Sequence, residues 1–257
     1  MSGITALDAL SRDILWLYGL VFLRVAPVLA MLPGFGEFSV PGRIKLAAAV
    51  AFTLVVAPLA APHLSALGGT APTPWLIVVE TGIGLLMGIG LRLFVLALQT
   101  AGSIAGQSTS LAQILGSAGA TPLPALGHLL VFGGIALAMM TGLHVQVARM
   151  VVLSYGLFPA GHPPDAGALA QWGIRQVAGA FALAFTLAAP FVIVSVLYNL
   201  TLGIINRAMP QMMVVFVGAP VITAVGIALL LMLAPTILTV WINALQGFVT
   251  NPFGGSG

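Results

Sequence analysis

Read for hydrophobic and polar positions, the chain falls into six long apolar stretches, near 14–32, 44–61, 75–101, 126–147, 177–205 and 212–248. None alternates with period two, as a lipid-facing barrel strand must. Residues 214–233 are apolar on every side, which is the signature of a helix surrounded by lipid or by other apolar protein. The pattern therefore predicts an all-α membrane protein of about six helical segments. The last two stretches exceed the roughly 20 residues that one crossing needs. Pro190 lies inside the fifth, and Pro220 and Pro235 inside the sixth. Proline removes a backbone donor and crowds the preceding turn, so these segments are expected to kink, break or fold as helical hairpins. The first stretch has no basic region before it and reads as a retained helix rather than a cleaved signal.

The connections differ in character. Residues 33–41 are punctuated by Gly and Pro and carry Glu37. Residues 58–74 hold four prolines and read as a loop. Residues 154–172, with Pro159, Pro163, Pro164 and Asp165, read as a solvent-facing loop. Residues 102–124 are long, uncharged and rich in Gly, Ser, Ala and Gln. Such small polar groups are poor lipid ligands but suit the lining or blocking of a passage through protein.

Composition agrees with the pattern. Hydrophobic residues make up 60% of the 257 and charged ones 5%, against about 25% charged in a soluble domain. A net charge of +3 leaves no basic patch for nucleic acid, and the absence of cysteine removes disulfides and thiolate metal sites. Lys and Arg do not choose an orientation. A six-span zigzag places Arg12, Arg149 and Arg175 on one side and Arg43, Lys45 and Arg207 on the other.

Candidate chemistry is sparse. The chain has no zinc-protease HExxH, nucleophile-elbow GxSxG, phosphate-loop or dinucleotide glycine motif. His63, His128, His144 and His162 lack ligand spacing, and a lone histidine such as His144 is more often packed or interfacial than metal-bound. No cofactor is expected. Arg24, Glu80 and Arg92 fall in or near apolar stretches, where an unpaired charge costs several kcal/mol. Glu80 and Arg92 stand about 120° apart around one helix and about 18 Å apart along it, so they cannot pair. Glu80 can instead meet Arg24 on a neighbouring helix, or each charge can mark a helix end and reach the interface. Gly84 and Gly88 form a small-xxx-small pair that admits a close second backbone, from this chain or from another subunit. Arg207, Pro210 and Gln211 interrupt two apolar segments and read as a tight reversal.

Four ordered blocks carry a resemblance. They are Arg24, Pro33, Gly36, Val40, Pro41 and Arg43; Glu80, Gly84, Gly88, Gln99, Ala101, Gly102, Gly106 and Gln107; Gly142, His144, Ser154 and Pro159; and Gly203, Arg207, Pro210, Gln211, Phe216, Gly218 and Pro220. Together they resemble the FliR family of flagellar export-gate proteins, whose injectisome relatives are called SctT or SpaR. Two positions depart from the family pattern: Met213, where it usually has Asn, and Thr121, where it often has Asp.

The resemblance implies a non-enzymatic role at the bacterial inner membrane, in the flagellar basal body. Family members look like a FliP-like part (here 1–205) fused to a FliQ-like part (206–257, expected as a Pro-kinked hairpin), all within one membrane domain. They complete a helical hetero-oligomeric ring with FliP-like and FliQ-like partners, next to a FlhB-like export protein, and pass unfolded flagellar subunits. The ring helices pack on partners more than they cross lipid. The resemblance also implies a plug, matching Gly106, Gln107, Ser110, Gln113, Gly116, Ser117, Gly119 and Pro122. The other family positions, Arg24, Pro33, Pro41, Arg43, Glu80, Gly84, Gly88, Arg207, Pro210, Gln211, Gly218 and Pro220, are expected to serve packing. The residues alone leave two alternatives: a secondary transporter of small molecules using Glu80 and Arg24, and a membrane-embedded enzyme.

Overall fold

The structure is a computed structural model, which describes residues 2–37, 39–64, 73–108, 125–208 and 214–254. Among these are seven α-helices and no strand: α1 Ser2–Met31, α2 Gly42–Leu64, α3 Pro74–Ser108, α4 Ala125–Met140, α5 Leu143–Leu157, α6 Ala166–Ala208 and α7 Val214–Thr250. Five helices are long and apolar enough to cross a membrane. The pair α4–α5, bent by 68° at Thr141–Gly142, makes a sixth candidate. In a bilayer the backbone must bond to itself, and a helix does this within one segment.

The break falls where the sequence did not announce it. Gly142 has φ of 76°, a left-handed value that side-chain-bearing residues rarely adopt. It divides the fourth apolar stretch instead of extending it. The fifth and sixth stretches, expected to kink, break or fold as hairpins at proline, run without a break as helices of 43 and 37 residues. At 1.5 Å per residue, α6 is about 65 Å long, twice the roughly 30 Å hydrocarbon core. The expected loop at 58–74 is also shorter than read, because α2 runs through Pro58 and Pro62 to Leu64. The 154–172 loop contracts to 158–165, since α5 ends at Leu157 and α6 begins at Ala166.

The chain divides into two compact units. The first comprises Met1–Arg92, Ala138–Gln176 and Gln246–Gly257, the second Leu93–Leu137 and Val177–Leu245. In the first, α1 buries Val21, Val25 and Val28, and α5 buries Leu143, Val147, Met150 and Val151. Both sets repeat at helical spacing and form one face of each helix. In the second, Leu98 of α3, Phe191 of α6 and Trp241, Leu245 of α7 are buried. The outer faces of α2, α6 and α7 stay apolar and exposed, among them Leu54, Val55, Phe185, Leu200 and Leu231. In water such area would be unfavourable. It fits a chain surrounded by lipid and apolar partners.

Candidate functional site

The first unit is organised around one buried ion pair. Arg24 sits in the last third of α1 and Glu80 in the second turn of α3, and neither side chain is accessible (0% and 0%). The pairing is bidentate: Nε donates to Glu80 Oε2 at 2.8 Å and Nη2 to Oε1 at 3.1 Å. A forked guanidinium matches a carboxylate in this way and fixes angle as well as distance. Both terminal nitrogens have further partners. Nη1 reaches Ser154 Oγ at 3.0 Å and Nη2 reaches the Phe158 carbonyl at 3.1 Å. Glu80 Oε1 accepts a further bond from the Gly161 N–H at 3.2 Å. The Tyr155 ring lies against the guanidinium, 3.7 Å from centroid to Cζ, a cation–π contact that gains strength away from water. Two charges in an apolar interior are tolerable only when saturated like this.

Glycine lets α3 come close enough for the pairing. A Cβ at Gly84 would strike the Arg24 carbonyl oxygen, and one at Gly88 would meet the Pro27 carbonyl oxygen at 2.9 Å. The small-xxx-small pair is therefore used within this chain, α3 on α1. Gly90 lies against the Phe248 ring.

Arg92, which the sequence left between a partner and the interface, pairs with Glu37 at 2.7 Å. Lys45 Nζ donates to the Gly36 carbonyl in the same turn, at 3.2 Å. Gly36 is tightly placed, since a Cβ there would meet Ala30 O at 2.7 Å. Pro33 is buried, whereas Pro41 and Arg43 are exposed, and the Pro41 carbonyl accepts the first helical bonds of α2 from Ile44 and Lys45.

The second unit is held differently. A Cβ on Gly102 of α3 would collide with the Cα of Gly127 on α4, so the two backbones touch. Trp241 donates its indole N–H to the Phe94 carbonyl at 2.8 Å, and its ring lies near Gly134. Ser195 of α6 donates to the carbonyl of Ser108, the last residue of α3, and accepts from Asn199 Nδ2 at 3.3 Å. These contacts grip both stems of the uncharged segment, where the chain leaves α3 and re-enters at α4. Gly106 and Gln107, expected within a plug loop, instead belong to the last turns of α3, Gly106 buried and Gln107 exposed. Ser110, Gln113, Gly116, Ser117, Gly119 and Pro122 lie outside the described residues, as do Pro210 and Gln211. Arg207 is exposed at the end of α6, and Gly218 and Pro220 fall within α7.

The profile of a family described as bacterial export proteins, family 1, matches residues 15–248. The chain belongs to that family. Three relatives are each named flagellar biosynthetic protein FliR. That of Caulobacter vibrioides is 34% identical over 228 residues, covering 86% of this chain and 90% of the relative. That of Escherichia coli is 29% identical, covering 86% and 85%. That of Aquifex aeolicus is 25% identical, covering 89% and 89%. The Arg24–Glu80 pair and both stems of the uncharged segment lie inside the span matched to the export family.

The geometry also bears on the transporter alternative. That reading needed Arg24 and Glu80 open to a substrate, but the pair is saturated by its own chain and closed to solvent. Sequence reasoning quoted Ser154 only through the resemblance, and it missed Tyr155, Phe158, Gly161 and Ser195. Ser195, the one serine of α6, was the readable signal among them.

Proposed function

We propose that this chain is a structural and gating subunit of the flagellar type III protein export gate in the bacterial inner membrane, at the flagellar basal body. The observation that carries the reading is the export-family match over residues 15–248, joined to relatives named for flagellar biosynthesis across most of their length. The role is non-enzymatic. The chain completes a ring of FliP-like and FliQ-like membrane proteins beside a FlhB-like component, with 1–205 as the FliP-like part and 206–257 as the FliQ-like part. Unfolded flagellar subunits thread through the ring.

Two features support a plug made by the segment after α3. It is uncharged and rich in Gly, Ser and Ala, so it offers no ionic contact that opening would have to break. Its stems, in contrast, are held by backbone contact at Gly102 and Gly127 and by Ser195 on Ser108. Fixed ends suit a segment that has to return to one closed position. The exposed apolar faces of α2, α6 and α7 offer the area that ring partners and lipid cover.

Deleting residues 113–119 is expected to leave assembly intact and make the resting membrane permeable to small ions. Ion flux across vesicles or cells carrying the variant checks this. A membrane as tight as wild type, with the complex assembled, would remove the plug.

A further inference from the structure

The buried ion pair does not end at its own charges. The Phe158 carbonyl accepts from Arg24 Nη2 at 3.1 Å, while the ring of the same residue meets Phe253 edge-on, with centroids 4.7 Å apart. Phe253 also lies 5.5 Å from the Trp172 ring, and the Trp172 indole N–H donates to the Pro252 carbonyl at 2.7 Å. Gly161, three residues beyond Phe158, gives its N–H to Glu80 at 3.2 Å. Both partners of the pair thus hold the 158–161 connection, and that connection carries one wall of the aromatic seat in which residues 251–254 rest. Pro252 and Trp172 are buried there.

We propose that the Arg24–Glu80 pair acts at a distance as the clasp of a C-terminal strap, residues 251–254, by fixing Phe158 and Gly161. The strap follows α7 directly, so holding Pro252 and Phe253 also holds the C-terminal end of that helix. A guanidinium serves here because one group must grip a carboxylate, a hydroxyl and a carbonyl at fixed angles, which an ammonium cannot do. The inference concerns this chain's own packing and does not depend on the export-gate reading.

The absence of native cysteine makes the test direct. A single thiol placed by Pro252→Cys is hidden while the strap is docked, and its reaction with a water-soluble maleimide reports release in the detergent-purified complex. Adding Glu80→Gln should raise the labelling rate by roughly tenfold or more, the change expected when a hydrogen bond to a charged group is lost. Arg24→Lys, which keeps the charge and loses the fork, should raise it as well. Arg92→Met, which breaks the other ion pair of the same unit, should leave it unchanged. Ala57→Cys, fully buried on α2, serves in a parallel set as the control for general loosening. Labelling at 252 unchanged by Glu80→Gln and Arg24→Lys would overturn the proposal. Equal fold-rises at 252 and 57 would overturn it too, because exposure of 252 would then follow from loosening of the unit as a whole and not from release of the strap.

Discussion

The two units of this chain are stabilised by different kinds of contact. Of the thirteen charged residues, twelve fall in the first unit and only Arg207 in the second. The first unit is fixed by a few strong, directional interactions: a saturated ion pair, a second pair at its edge, and an aromatic seat tied by an indole hydrogen bond. The second relies on close backbone approach at glycine, on Trp241, and on single neutral hydrogen bonds. Charged contacts in an apolar interior are costly to break and all-or-none. Neutral close packing gains only a little from each atom pair and depends on many of them. The first unit is thus held mainly by charged, directional contacts, and the second, which bears the stems of the uncharged segment, by neutral close packing.

The contrast can be broken most forcefully at Glu80. Glu80→Gln or Arg24→Met should each destabilise the protein by about 3–5 kcal/mol, since each strands a buried charge or its partners. Replacing both together by Met should cost less than either alone. Heat-induced aggregation of the purified protein, followed for the two singles and the double, measures the ordering. A double variant as damaged as the sum of the singles would deny the pair its role. Next in size is Gly102→Leu in the second unit, expected to cost about 1–3 kcal/mol by forcing α3 and α4 apart, with ion leakage increased because a stem has moved. Trp241→Phe keeps most of the ring and loses the bond to the Phe94 carbonyl, for about 1 kcal/mol. The smallest effect is expected from Glu37→Gln. Its pair with Arg92 is 17% and 22% exposed, and pairs near the surface contribute about 0–1 kcal/mol.

Much of this architecture is visible in the residues, for reasons that also explain the misses. Each of the six apolar stretches is helical over most of its described residues because hydrocarbon permits little else, and twenty consecutive apolar residues leave an unmistakable trace. The prolines misled. Pro58, Pro62, Pro190 and Pro235 each stand inside a helix that continues past them, as membrane helices allow when neighbouring groups and local adjustments re-satisfy the freed carbonyls. Among the described residues the sharp break within an apolar stretch comes at Thr141–Gly142, where a left-handed backbone angle, not a missing donor, redirects the chain. Arg24 and Glu80 could be paired on paper because few other charges were available at that depth. Their further partners could not. Ser154 and Phe158 lie 130 and 134 residues from Arg24, and Trp172 lies 80 from Pro252. Only tertiary packing brings such groups together, and no local periodicity encodes it.

The most direct test of the central claim is the mass of the native complex. A tagged chain expressed from its own operon, extracted in mild detergent and weighed intact, is expected to appear in one large particle with several copies of two other small membrane proteins. Recovery of the chain alone, or only with copies of itself, under conditions that preserve such assemblies would contradict the export-gate account.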